Sequence, residues 1–251
     1  TVIAEWSSVF FAAWLIYREL NSRKVPGQAF WSRSRLLDRE ALLKTLSANV
    51  DIMIRTLLLV FSFGFFINQS ARFGDVVLAA NHILLQLVSF AAFFLDGYAF
   101  VVESLVGSSM GAKRRDIFDR AVKRSTILAL ITAMVLAAGV WILGDLVVAL
   151  LTDLEQVREA ANSMLFLAAI YILFSFAAFQ LDGIFIGASF TRQMRNAAFI
   201  SLAVYLLAWW LLIDRYGVTG LWWAMIIYVA ARADALLMYY PKLRKAVGSI
   251  H

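Results

Sequence analysis

The stretch SFAAFFLDGYAFVVESLVG, residues 89–107, decides the fold class. Thirteen of its nineteen residues are apolar, which is typical of a helix that crosses a membrane. It nevertheless contains two carboxylates, Asp96 and Glu103. A charged side chain at the centre of a bilayer costs about 3 kcal/mol or more, so such residues usually face the protein interior or a water-filled cavity and mark a functional site. The stretch therefore predicts a membrane helix with one functional face.

The composition of the whole chain points the same way. The 251 residues are 62% hydrophobic and 16% charged, whereas soluble domains are about 45–50% apolar and about 25% charged. The chain has no cysteine and two histidines, which excludes a disulfide framework and a thiol nucleophile and leaves too few ligands for a zinc site. We therefore expect an all-α polytopic membrane protein without a metal or other cofactor.

Seven apolar segments are long enough to cross a membrane, which requires about 20 residues. The predicted segments are residues 1–17, 46–70, 76–110, 125–151, 160–190, 197–213 and 218–239. Between the first two lies a polar stretch that we predict to be a linker with an interfacial helix. The predicted domains are thus a first helix (1–20), the linker (21–45) and a six-helix lobe (46–251). Because the chain begins with threonine inside an apolar run, we expect a carboxy-terminal portion of a longer protein.

The basic residues predict the orientation in the membrane. Of the 23 lysines and arginines, eighteen lie in the linker, in alternate turns or in the carboxy-terminal tail. The other turns contain only Arg72, Arg158 and Arg215. By the positive-inside rule, the linker and the carboxy terminus are cytoplasmic. Topology then explains the net charge of +6, and no nucleic-acid partner is expected.

Five ionisable residues within the apolar segments are candidates for an ion-coupling site or a substrate cavity: Asp51, Arg55, Asp96, Glu103 and Asp182. Asp51 and Arg55 are four residues apart, so they share a helix face and can form a pair. Asp96 and Glu103 are two turns apart on one face. A carboxylate whose access switches between the two sides of a membrane can exchange a proton or bind Na⁺.

The chain also repeats a short pattern, since AFFLDG at residues 92–97 returns as AFQLDG at residues 178–183. The repeat places Asp96 and Asp182 in similar local contexts. Arg232 and Asp234 lie nearer the basic tail, and we expect their side chains to extend to the headgroups.

Motifs of soluble and membrane enzymes are missing from the sequence. It contains no HExxH, GxSxG or Walker loop, so we expect no enzyme activity. The two LDG aspartates match an intramembrane aspartyl protease in residue type, but their context differs from the usual GxGD.

Three stretches together resemble the multidrug and toxic compound extrusion (MATE) family, most nearly its DNA-damage-inducible F (DinF-like) branch. They are RTLLLVFSFGFFINQSARFGDVVLAANHILLQ, FFLDGYAFVVESLVGSSMGAKRRD and LDGIFIGASFTRQMRNA. The resemblance implies twelve membrane helices in two lobes of six. This chain would then supply the sixth helix, the linker between the lobes and helices seven to twelve.

The resemblance also implies roles for individual residues. In the sodium-coupled branch, a carboxylate on helix seven and an aspartate on helix ten form a cation site. The helix-ten aspartate falls on Asp182, but the helix-seven position falls on Arg55. This departure favours coupling to H⁺ over Na⁺, or an ion pair between Asp182 and Arg55. Other branches place the decisive aspartate on helix one, which is outside this sequence. Asp96 and Glu103 are expected to face the cavity between the lobes.

The predicted function is therefore a multidrug efflux antiporter of a bacterial inner membrane. It would export organic cations or amphiphiles in exchange for H⁺ or Na⁺, with membrane lipid and an amino-terminal lobe as partners. Two alternatives remain at this point. A flippase of lipid-linked precursors would require several cationic side chains in its cavity, and a seven-helix receptor is suggested by the helix count alone.

Overall fold

The computed structural model describes residues 2–22 and 38–248. These residues form six helices: α1 (Val2–Ser22), α2 (Arg39–Ala71), α3 (Asp75–Gly111), α4 (Arg115–Leu151), α5 (Glu155–Gly187) and α6 (Thr191–Ala246). The chain divides into two compact units, Thr1–Ser47 and Ala48–His251. The all-α fold class is thereby confirmed.

The first unit contains α1 and the beginning of α2, and no residue of α1 is buried within it. Residues 23–37 of the predicted linker lie outside the described residues. The end of the predicted linker forms the first turns of α2, which begins at Arg39.

Five helices, α2 to α6, are long and apolar enough to cross a membrane. They correspond to the predicted segments from residue 46 onward, and most of them begin or end outside the predicted bounds. The segment predicted for residues 160–190 is the exception at its end, because α5 stops at Gly187. Among the described residues, α1 does not meet the same criterion. The predicted count of seven spans therefore stays a prediction.

The last helix, α6, holds two of the predicted segments because it reverses direction at Gly217. Gly217 has a φ of 52° and a ψ of −128°, a backbone conformation that an L side chain rarely adopts. The rings of Tyr205 and Tyr228 lie 5.3 Å apart, centroid to centroid. Twenty-three residues of a straight helix would separate them by about 35 Å. The first arm (residues 191–216) and the second arm (residues 218–246) therefore pack side by side.

Helix α5 is the centre of the second unit. In its most apolar window 56% of the residues are buried, against 17–33% in the other four spans. Gly183 and Gly187 permit this packing, because a Cβ atom at either position would overlap a backbone carbonyl of α3 (those of Ala99 and Glu103). Small residues four apart allow two membrane helices to approach closely. The close contact fixes the position of Asp182, directly before Gly183, in the interior of the lobe.

Candidate functional site

Asp182 is the centre of a buried charge cluster. Its Oδ2 atom accepts hydrogen bonds from the guanidinium groups of Arg55 and Arg232. The three residues come from α5, α2 and the second arm of α6, so the carboxylate connects three helices. Asp182 and Arg232 are 5% and 6% exposed, which places the second ion pair inside the protein. The Asp182–Arg55 ion pair, which the family resemblance offered as an alternative, is present.

The prediction that Arg232 extends to the headgroups is wrong. Arg232 lies fourteen residues from each end of the second arm (residues 218–246), about 21 Å along the helix from either end. An arginine at that depth is too far from the interface to reach it and pairs inside the protein instead. The sequence analysis ended this segment at residue 239, so it placed Arg232 too close to the end of its helix, which extends to Ala246.

The predicted pairing of Asp51 with Arg55 is also wrong. Asp51 accepts a hydrogen bond from Arg195 Nη1 at 2.7 Å and from Thr191 Oγ1 at 3.4 Å. Both donors belong to the first turns of α6, so Asp51 connects α2 to the start of α6, and its ion pair is with Arg195 and not with Arg55. Arg195 was read as a topology signal in the sequence, and its pairing role was missed.

Asp96 and Glu103 lie on α3 and are only partly buried. Asp96 interacts electrostatically with Asp182, Arg55 and Arg232. Among residues 2–22 and 38–248, no side chain donates a hydrogen bond to Asp96. Glu103 lies two turns further along, where its backbone carbonyl faces Gly187. The structure therefore brings Arg55 and Asp182 into contact, with Asp96 close enough to interact with both, whereas Asp51 pairs with Arg195. Among the described residues, the Glu103 carboxylate forms no ion pair with any of them.

A second polar connection between helices consists of uncharged side chains. Trp222 Nε1 donates to Asn81 Oδ1 at 2.9 Å, and Asn81 Nδ2 donates to Ser70 Oγ at 2.8 Å. All three side chains are buried. The contacts join the second arm of α6, α3 and α2, and they satisfy the polar groups of Asn81, so this asparagine is structural.

The charge balance defines what the cluster can do. With both acids ionised, Asp96 and Asp182 balance Arg55 and Arg232. Protonating Asp182 would remove the anion that both guanidinium groups contact, whereas protonating Asp96 breaks no hydrogen bond from a described residue. Among the described residues, no group of three or more histidine, cysteine, aspartate or glutamate side chains could hold a metal ion.

Comparison with known sequences finds a matching family model and curated relatives. The family model described as MatE matches residues 52–210. The chain is 32% identical over 240 residues to DNA damage-inducible protein F of Escherichia coli, covering 94% of this chain and 50% of that protein. It is 24% identical over 185 residues to a probable multidrug resistance protein NorM of Photorhabdus laumondii, covering 70% and 40%. The chain thus spans about half the length of the curated relatives it matches.

Solved structures share the fold. The Vibrio cholerae transporter VcmN in its bent form superposes with a TM-score of 0.76 at 19% identity, covering 85% of this chain and 49% of that one. A second MATE structure, in the bent conformation, gives a TM-score of 0.79 at 16% identity and covers 95% and 53%.

Proposed function

Because the chain belongs to the MatE family of transporters, we propose that the protein containing it is a multidrug efflux antiporter that exports amphiphilic organic cations in exchange for protons. Members of this family are transporters and not enzymes, so the protease and receptor alternatives are wrong. The observation that carries the proposal is Asp96, a carboxylate without a hydrogen-bond donor among the described residues, beside the Asp182 cluster.

Asp96 is the better candidate for the coupling proton, although Asp182 matches the helix-ten aspartate of the resemblance. Asp182 is held by two arginines inside the lobe, so its loss of charge would leave two buried cations without a partner. Asp96 is partly exposed, and its protonation changes the local charge from zero to +1. That change would repel a cationic substrate and release it.

Proton coupling is preferred over sodium coupling for an electrostatic reason. A Na⁺ site requires several oxygen ligands close together. Asp182 already faces two guanidinium groups, and their positive charges oppose a third cation at the same carboxylate. One of the two groups, Arg55, occupies the helix-seven position at which the sodium-coupled branch has a carboxylate, so one ligand of that site is missing.

We further propose that the protein lies in a bacterial inner membrane with the linker and the carboxy terminus in the cytoplasm, as the distribution of basic residues predicts. An amino-terminal lobe would complete the cavity next to Asp96 and Glu103. The flippase alternative gains no support, because both arginines of the cluster are already paired with Asp182.

The test is efflux of a fluorescent organic cation from proteoliposomes, with and without a pH gradient and with and without Na⁺. Asp96→Asn should insert normally, retain exchange of the dye without a gradient and lose the acceleration by the pH gradient. Asp234→Asn, an exposed acid on the second arm of α6, is the matched control and should behave like the wild type. Full acceleration in Asp96→Asn would exclude Asp96 as the residue that carries the coupling proton.

A further inference from the structure

A cavity of about 410 Å³ lies between α3 and α4, close to the basic turn that joins them. Its walls include the exposed apolar side chains of Val101, Leu105 and Leu128. Arg120 and Arg124 line the same cavity on α4. An apolar groove with guanidinium groups at one end has the chemistry of an amphiphile with a negatively charged head.

We propose that this groove binds one anionic glycerophospholipid, with an acyl chain against Val101, Leu105 and Leu128 and the phosphate at Arg124. The surrounding bilayer supplies the ligand. Basic pockets between membrane helices are known to recognise anionic headgroups through the same combination of charge and apolar contact.

The depth of Arg124 fits a lipid phosphate. Helix α4 has 37 residues, or about 55 Å at 1.5 Å per residue, whereas the hydrocarbon core is about 30 Å thick. A centred helix therefore extends roughly 12 Å beyond the core at each end. Arg124 lies nine residues, about 13 Å, from the start of α4. The helix has no further charged residue until Asp145, so Arg124 is at the boundary between headgroups and hydrocarbon.

The two arginines of the groove differ in how much of their charge is available. Arg120 donates to the Asp116 carboxylate at 2.8 Å and to the Asp116 backbone carbonyl at 3.1 Å. In the described part of the chain, no group accepts a hydrogen bond from Arg124. A free guanidinium can contact a phosphate through two parallel hydrogen bonds. Arg124 is therefore the residue that selects the headgroup.

Lys123 provides a matched control for Arg124. It is the preceding residue, at nearly the same depth, but it lines a different cavity of about 520 Å³ between α4, α5 and the second arm of α6. Replacing either residue by glutamine removes one positive charge from the same region. Only the replacement of Arg124 removes the charge from the proposed site.

The experiment is native mass spectrometry of the purified protein titrated with phosphatidylglycerol or phosphatidylcholine. The first phosphatidylglycerol should bind more tightly than phosphatidylcholine, and Arg124→Gln should weaken it about fivefold, the effect of one charge near a membrane surface. Lys123→Gln should leave this first adduct unchanged. Val101→Trp, which fills the groove without changing charge, should weaken both lipids.

Three results would overturn the proposal. Equal losses in Arg124→Gln and Lys123→Gln would indicate general attraction to a basic surface. Equal binding of the two lipids by the wild type would remove the role of charge. Unchanged binding in Val101→Trp would place the lipid outside the groove. Circular dichroism of each variant establishes that the helices are intact.

Discussion

Two nearly identical stretches of this chain have opposite environments. In AFQLDG (residues 178–183), Asp182 is buried and contacts two arginines, and a Cβ atom at Gly183 would overlap the backbone of α3. In AFFLDG (residues 92–97), Asp96 is partly exposed, and a Cβ atom added at Gly97 would meet nothing within 4 Å apart from its chain neighbours and the backbone of its own helix. The same local sequence therefore places a buried, ion-paired aspartate on the central helix α5 and a partly exposed aspartate without a hydrogen-bond donor from a described residue on the neighbouring helix α3.

The two stretches differ at one position, Gln180 against Phe94, and these two side chains also differ in burial. Gln180 is buried, and its Nε2 atom donates to Ser125 Oγ on α4 at 2.8 Å. Phe94 occupies the equivalent position on α3 and is 48% exposed. A polar side chain is stable inside the lobe when it has a partner, and an apolar one is stable where the helix meets lipid. The comparison shows that a short repeat in sequence does not define a repeated site.

The largest expected effect distinguishes the two aspartates by stability. Asp182→Asn should lower the free energy of unfolding by about 3–5 kcal/mol, because it leaves two buried guanidinium groups without their carboxylate. Asp96→Asn should change it by less than about 1 kcal/mol, since no described side chain is hydrogen-bonded to it. The measurement is unfolding in mixed detergent micelles with increasing dodecyl sulfate, followed by tryptophan fluorescence. Similar losses for both variants would contradict the distinction.

A double variant sharpens the first comparison. Combining Asp182→Asn with Arg232→Met removes one of the two uncompensated cations, so part of the lost stability should return. We expect a coupling energy of about 0.5–3 kcal/mol in the double-mutant cycle. Asp96→Asn with Arg232→Met is the comparison pair and should show a smaller coupling energy, because Asp96 interacts with Arg232 electrostatically but without a hydrogen bond. Strict additivity in both cycles would show that the ion pair contributes little.

The two glycines should differ by a smaller amount. Gly183→Ala should destabilise the lobe by about 1–3 kcal/mol, because the methyl group forces α5 away from α3. Gly97→Ala meets open space and should be neutral or stabilising by up to about 1 kcal/mol, the difference in helix propensity. The same micelle titration measures both. A stable Gly183→Ala would mean that the two helices separate without cost.

The smallest expected change in stability comes from the position at which the two stretches differ, Gln180 and Phe94. Gln180→Leu removes the hydrogen bond to Ser125 and should cost about 1 kcal/mol. Phe94→Leu, on the exposed face, should stay within about 0.5 kcal/mol of the wild type. Thermal unfolding of the detergent-solubilised variants resolves the difference. A larger loss from Phe94→Leu would assign this face to a protein contact.

The sequence alone determined the class of the protein and the positions of its helices. Apolar length and the scarcity of charge are local properties of the chain, so they predicted membrane helices whose observed ends lie mostly within a few residues of the segments. The start of α4 is the largest difference, because six of its first ten residues are charged and the hydropathy pattern left this part out although it is helical. The acids and Arg55 were also visible, as isolated charges in apolar surroundings.

The tertiary structure decided which charges meet, although the family resemblance had already offered the Asp182–Arg55 pair as an alternative. Asp182 pairs with residues 127 and 50 positions away, and Asp51 pairs with a residue 144 positions away. The local rule for residues four apart instead predicted the Asp51–Arg55 pair. Ion pairing inside a lobe depends on which helices lie side by side and at what depth, and neither property is contained in a short stretch of sequence. For that reason AFFLDG and AFQLDG have similar sequences but different tertiary environments.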